Sequence, residues 1–290
     1  MRPILRPGTH VLSRGAGELQ VGLDPRAALV LPDRPSVRDS LRLLSSSADL
    51  DEHPDTATVD VLAAHDLVVD ERALIPLLAR DDLSPQTTAA LTRSAGSAAP
   101  SLRQARDRWR TTVRTFGHAG GGTLRRDLVA LLGAAGLREH RGRTAPDCGV
   151  LVGVGEPDRE LVDDWTRAPR SAGPGGTASR RAVVGPFVAP GRTACLRCID
   201  AHHADADPAW PLLVRQYAAA ASRDRADGAT EPVDPLLAAL TTAWAARDLA
   251  SYVDGQRPST WSATVTLHPR LEELETQPWL RHPACSCSWE

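Results

Sequence analysis

The sequence predicts an α/β protein in two parts: an N-terminal winged-helix-like α+β module and a C-terminal degenerate Rossmann-like domain that holds four of the chain's cysteines. Three observations carry this expectation. Short apolar–polar alternations separated by turn residues fill the first 35 positions and give way to helical periodicity. The second half opens on a strand, a glycine turn and a helix (TTVRTFG, HAGGGT, LRRDLVALLGAAG), the start of a dinucleotide-fold unit. Four of the 5 cysteines form two tight pairs, Cys195–Cys198 and Cys285–Cys287.

Each element follows from local chemistry. PILRPG, THVLSRG, ELQVGLD and RAALVLPD read as strands joined by tight turns. In VRDSLRLLSS, Val37, Leu41 and Leu44 share one helical face, with Ser36 as the expected N-cap. TATVDVLAAH reads as a second helix, DLVVD as a strand, and ALIPLLARDD as a shorter element broken at Pro76. Strands, then helices, then a strand make residues 1–85 one module. The Ser/Ala/Thr-rich stretch after it makes 86–110 a partly helical linker, and 111–290 the second domain. There, CGVLVGVG is nearly continuously apolar, as a strand buried on both faces of a parallel sheet requires. RAVVGPFVAPG reads as a strand ended by Pro190-Gly191, PLLAALTTAWAARDLASYVDG as a helix capped by Gly255, and TWSATVTL as a strand. RAPRSAGPGGTASR (167–180) reads as a Gly/Pro/Ser-rich loop.

Composition excludes more than it names. The 290 residues are 42% hydrophobic and 24% charged, with a net charge of −2, which fits a globular protein and argues against a general nucleic-acid surface. No apolar run approaches the roughly 20 residues needed to span a bilayer. The start, MRPILRPGTHVLSRG, lacks a signal peptide's apolar stretch, so a cytoplasmic protein with reduced thiols is expected. The chain contains no lysine and no asparagine. Schiff-base chemistry, a lysine nucleophile and a phosphate-loop lysine are therefore absent.

Two constellations remain. Gly117, Gly120, Gly121 and Gly122 could in principle cradle a phosphate at a helix N-terminus. Their spacing misses G-x-G-x-x-G, and no acidic residue ends a clear second strand about 20 residues on, so a structural turn fits better. For the cysteines, a metal site, a redox dithiol and coincidence compete. Zinc accepts four thiolates tetrahedrally, and a C-x-x-C turn after Gly191 would supply two. A redox dithiol needs no second pair. Structural Zn2+ on Cys195, Cys198, Cys285 and Cys287 is therefore the expected cofactor, with His282 as a substitute ligand. Such a closed site leaves no position for catalysis. Cys148, in an apolar strand, is expected to be inert. His202 and His203, beside the first pair, fit surface or supporting roles better than catalysis.

The segment RAVVGPFVAPGRTACLRCIDAHHADADPAWPLLVRQ, with the terminal HPACSCSW, resembles the zinc-binding half of ThiF-like adenylating proteins, and most closely their bacteriocin-biosynthesis branch. PILRPGTHVLSRGAGELQVGLDP resembles the start of the same proteins. The resemblance implies an N-terminal recognition element for ribosomal peptides (RiPPs), which captures a leader peptide as an added strand. The groove would lie between Glu18, Leu19, Gln20 and Val21 and the helix carrying Leu41 and Leu44. It also implies structural zinc, a YcaO-type cyclodehydratase partner and homodimerisation. Active members use lysine and asparagine around ATP phosphates, and neither residue occurs here. The stretch between Gly136 and Cys148 is also too short for the family's second strand. The expectation is thus a pseudo-enzyme without catalytic residues that binds a leader peptide and presents it to a cyclodehydratase. The alternatives are a regulatory protein scaffold outside any such pathway and a residual adenylating enzyme.

Overall fold

The structure is a computed structural model that describes residues 2–45, 52–78, 84–117, 121–140, 142, 144–166, 174–178, 181–221, 233–272 and 274–288. The chain divides into two compact units, Met1–Gln104 and Ala105–Glu290.

In the first unit, β1 (Pro3–Leu5) pairs antiparallel with β5 (Val68–Asp70). β2 (Val11–Gly15), β3 (Glu18–Val21) and β4 (Leu29–Pro32) form an antiparallel sheet in the order β2-β3-β4. Gly15 pairs with Glu18, which leaves Ala16 and Gly17 as the turn, both at positive φ (53° and 76°). That backbone twist matches the strands on either side of a two-residue hairpin. Helix α1 (Pro35–Ser45) lays Val37, Leu41 and Leu44 against Leu19, Val21 and Leu31 of the sheet and Leu62 of α2 (Thr56–Ala64). This is the 3.6-residue periodicity expected of it. The helix starts at Pro35, two residues earlier than expected, because a first-turn proline gives up no intrahelical bond. Ser36 is thus inside the helix, where its carbonyl accepts from Ser40 Oγ at 2.8 Å. Asp55 caps α2, accepting from the Thr58 N–H at 3.0 Å.

Helix α3 (Glu71–Leu78) runs through Pro76 without the expected break. In an eight-residue helix a proline at the sixth position removes one ladder bond only. The stretch expected as a linker contains α4 (Pro85–Ala95), a 3-10 turn at 96–98 and α5 (Ala99–Arg108). Leu91 of α4 and Ala99 at the start of α5 are buried with Val69 and Leu74, so α4 and the beginning of α5 belong to the first unit's core.

The second unit is built on a six-stranded sheet. Its strands are β6 (Thr111–Phe116), β7 (Cys148–Val154), β8 (Pro174–Ala178), β9 (Arg181–Val184), β10 (Ala263–Leu267) and β11 (Leu274–Pro278), in sequential spatial order. β6, β7 and β8 run parallel, and the remaining pairs are antiparallel. All seven residues of β7 are buried, as its apolar run requires. Val150, Val152 and Val154 pack against α6 (Gly121–Ala134) and α10 (Pro235–Val253). Leu151 faces the other way, toward α7 (Arg159–Thr166) and α8 (Leu196–Ala206). Helix α9 (Trp210–Ala221) follows α8. The unit is therefore a three-layer α/β/α arrangement.

Two expectations change here. Residues 174–178 form strand β8 where a loop was expected, since pairing on both sides satisfies their backbone whatever their propensity. The other residues of 167–180, apart from 181 onward, lie outside the described residues. Strand β9 ends at Val184 and not at Pro190, because Pro186 has no N–H to continue a ladder. Between Gly136 and Cys148 the described residues hold only an isolated bridge from Glu139 to Thr111. A buried, bidentate ion pair fixes the end of α10: Arg106 Nε and Nη2 donate to Asp254 Oδ1 and Oδ2 at 2.8 and 2.6 Å. Arg106 Nη1 also donates to the Ala135 carbonyl that ends α6, at 2.6 Å.

Candidate metal centre and its surroundings

Cys195 and Cys198 do not sit on a strand-end turn. Cys195 is the N-cap of α8 and Cys198 lies in its first turn. This is the placement expected of a redox dithiol, but the tail brings Cys285 and Cys287 against the same point. The Cys195 Sγ lies 3.8 Å from that of Cys198, 3.6 Å from that of Cys285 and 3.5 Å from that of Cys287. Cys198 and Cys287 are 3.3 Å apart, and all five cysteines of the chain are free thiols. Sulfurs held about 2.3 Å from a tetrahedral zinc would stand about 3.8 Å from each other. Four thiols gathered to nearly that spacing around a common centre fit the ion.

The second pair is oriented by the tail's own bonds. Arg281 Nη1 donates to the Gly191 carbonyl at 2.8 Å and Nη2 to the Cys287 carbonyl at 2.6 Å. The Cys285 N–H closes a turn onto the His282 carbonyl at 3.0 Å. Burial pushes the Cys195 thiol up, and pushes that of Cys287 up to about 11. At Cys198 burial acts in the same sense, but backbone hydrogen bonds with His282 and Cys195 and side-chain contacts with Cys287 and Cys285 together bring the thiol down. Buried thiols without a cation are poor thiolates, so a metal would complete the charge balance of this cluster. A cavity of about 490 Å³ borders Cys195, Cys285 and Cys287. Cys148 lies elsewhere, buried in β7, with burial holding its thiol up at about 12.

The glycine turn is explained by packing. Gly117 has φ +72°, and a Cβ there would stand 2.5 Å from the Val154 carbonyl oxygen of the neighbouring strand. Gly121 and Gly122 begin α6, and Gly120 lies outside the described residues.

The residues expected to line a peptide groove are positioned differently from one another. Leu19, Val21, Leu41 and Leu44 are buried core, whereas Glu18 and Gln20 face away from it. β3, which carries Glu18–Val21, is paired on both sides, so the open edges of this sheet are β2 and β4. Beside β2 a groove of about 330 Å³ runs along α1, floored by Val11, Leu19 and Leu41 and rimmed by Arg38 and Arg42. The His10 carbonyl accepts from the Gly22 N–H at 2.8 Å. Antiparallel alternation then turns the backbone N–H and C=O of Val11 and Ser13 toward the open edge.

Sequence reasoning missed one further crevice. It lies beyond the carboxyl ends of β6 and β7, holds about 360 Å³, and is lined in part by Phe116, Glu156, Arg159, Asp200 and Trp210. Arg159 is bidentate to Asp200 at 2.7 and 2.8 Å, reaches Glu156 at 3.1 Å, and Trp210 Nε1 donates to Asp200 at 3.0 Å. Burial works against the Arg159 charge, and the bonds and charges of Asp200 and Glu156 together outweigh it. No short motif announces these residues, because they come from three separate segments. His203 stacks on Trp210 and meets Trp279, at 4.3 and 5.2 Å between ring centroids, which is a packing role.

Fold and site together define a mixed α/β protein with a four-thiol centre of metal-binding geometry. No family model matches the chain, and no curated protein matches its sequence. Solved structures do share its fold. A heterocyclase in complex with substrate and cofactor superposes with a TM-score of 0.69 at 17% identity, covering 99% of this chain and 39% of that one. The heterocyclase TruD gives 0.67 at 17%, covering 99% and 42%. E. coli MccB with ATP gives 0.60 at 13%, covering 99% and 100%. The chain thus spans about two fifths of the length of the heterocyclases it matches. At these identities the likeness is one of fold. Among the described residues no helix is long and apolar enough to cross a membrane.

Proposed function

We propose that the chain is a non-catalytic peptide-recognition protein of a RiPP pathway, which captures a precursor's leader peptide and presents it to a YcaO-type cyclodehydratase. The observation that carries this reading is the open edge of β2 beside an apolar groove. An extended peptide added there gains main-chain hydrogen bonds from Val11 and Ser13, and alternate side chains enter the groove over Leu19 and Leu41. Arg42, more than half exposed and paired with Glu52 at 3.3 Å, would exchange that carboxylate for acidic peptide residues. Glu18 and Gln20 take no direct part, because they project from the opposite face of the central strand. The fold supports the same direction: one matching heterocyclase was solved with its substrate, and MccB with N-formylated MccA.

A pseudo-enzyme is consistent with a chain that lacks lysine and asparagine and whose Gly117 serves strand packing. In this reading zinc on the four cysteines is structural and the chemistry belongs to the partner. The test is polarisation titration of labelled short peptides encoded beside the gene. Binding is expected for the wild type, with at least tenfold loss in Ser13→Pro, which removes an outward N–H from an exposed edge position and spares the ladder to β3. Absence of binding to any such peptide, or unchanged affinity in the variant, refutes this mode of recognition. ATP–pyrophosphate exchange by the chain would instead establish the adenylating alternative.

A further inference from the structure

The metal-ligand side chains of α8 do not stop at Cys198. Cys195, Cys198, His202 and Asp205 are spaced three, four and three apart, which places them in one stripe along the helix. The tail answers that stripe in reverse order, with His282 opposite His202 and Asp205, and Cys285 and Cys287 opposite the first pair. The donor atoms of His202, Asp205 and His282 lie within 4.8 Å of one another.

Their hydrogen bonds hold these groups together. His282 Nδ1 accepts from the Ala284 N–H at 3.1 Å, which puts the ring proton on Nε2, 2.9 Å from Asp205 Oδ2. A metal at Nε2 would find a carboxylate oxygen already converging, with the ring proton moved to Nδ1 and the bond from the Ala284 N–H opened. His202 Nε2 donates to the Leu280 carbonyl at 3.0 Å, which leaves its lone pair on Nδ1, and its ring stands edge-on to that of His282 with centroids 4.8 Å apart. An imidazole that donates its second N–H to a carbonyl, as His202 does, is the usual ligand of a metal site. Donors at about 2.05 Å from a tetrahedral ion stand about 3.4 Å apart, so the cluster closes with shifts of no more than about 1.4 Å.

We propose that His202, Asp205 and His282 form a second metal site, for a borderline divalent ion such as zinc, nickel or cobalt, on the same helix–tail seam as the four cysteines. Two imidazoles and one carboxylate select that class over magnesium or calcium. Three protein ligands leave a coordination position for water, unlike the closed four-thiol centre.

The test uses the full chain carrying one zinc, titrated with Zn2+ and followed by native mass spectrometry and calorimetry. A second equivalent is expected. Its affinity should fall at least about tenfold in His202→Ala and in Asp205→Asn, while the first equivalent is retained. Asp205 is 70% exposed, so its variant leaves the packing intact. The proposal is overturned if the zinc-loaded wild type takes up no second ion at millimolar Zn2+. It is equally overturned if both variants bind the second ion as tightly as the wild type, or if they lose both ions together, since the residues would then serve only to hold the tail.

Discussion

Removing the metal from the four-cysteine centre should lower the stability of the second unit by about 4–5 kcal/mol. The centre ties the start of α8 to the tail, and 87 residues separate Cys198 from Cys285. Releasing a cross-link that closes a loop of about 90 residues returns about 4.6 kcal/mol of chain entropy to the unfolded state. Domains of ordinary stability hold about 5–15 kcal/mol, so this is a large share. For a unit of this size each kcal/mol moves the midpoint by about 2–4 °C, and the melting temperature should fall by about 10–18 °C. Residual metal binding by unfolded thiols makes the observed shift the smaller end of that range. The assay is calorimetric melting with and without a high-affinity zinc chelator, with the metal content of each sample read by native mass spectrometry. A chain that carries one ion in its four-cysteine site and melts at the same temperature without it would refute the idea that these thiols staple the fold.

Three further outcomes follow from the same structure. Under native conditions iodoacetamide should modify four cysteines only after chelation, and the fifth, Cys148, only in denaturant; intact-mass counting checks this, and early modification of Cys148 would contradict its burial in β7. Asp254→Ala should destabilise the chain by about 3–5 kcal/mol in denaturant unfolding, because it strands the buried Arg106 guanidinium, whereas a change below about 1 kcal/mol would mean that the pair is solvated. Ser13→Pro should leave the denaturation midpoint within about 0.5 kcal/mol of wild type while abolishing peptide capture, and a loss of stability much larger than this would mean that the Ser13 N–H is engaged within the sheet.

The parts of the molecule legible in the sequence are those where one local signal settles the outcome. Val37, Leu41 and Leu44 fix the buried face of α1 by spacing alone, and the run from Cys148 to Val154 announces a strand covered on both sides. The cysteine pairs are legible because two tight spacings far apart in a cysteine-poor chain have few other uses. What escaped depends on partners distant in sequence. β8 forms from a Gly/Pro-rich stretch because β7 and β9 flank it, and β11 exposes all five residues, so it shows no alternation to read. The same cause bears on where a peptide groove was expected. Glu18–Val21 has strand character, but pairing order decides which strand is open, and that order places β3 between β2 and β4. Sequence periodicity assigns a residue to a face of its own element, whereas an edge is a property of the sheet. A recognition site that works by strand addition is therefore the kind of site that a single sequence conceals. The metal centre is the opposite case, since its chemistry lies in the ligand types themselves and needs only the fold to bring them together.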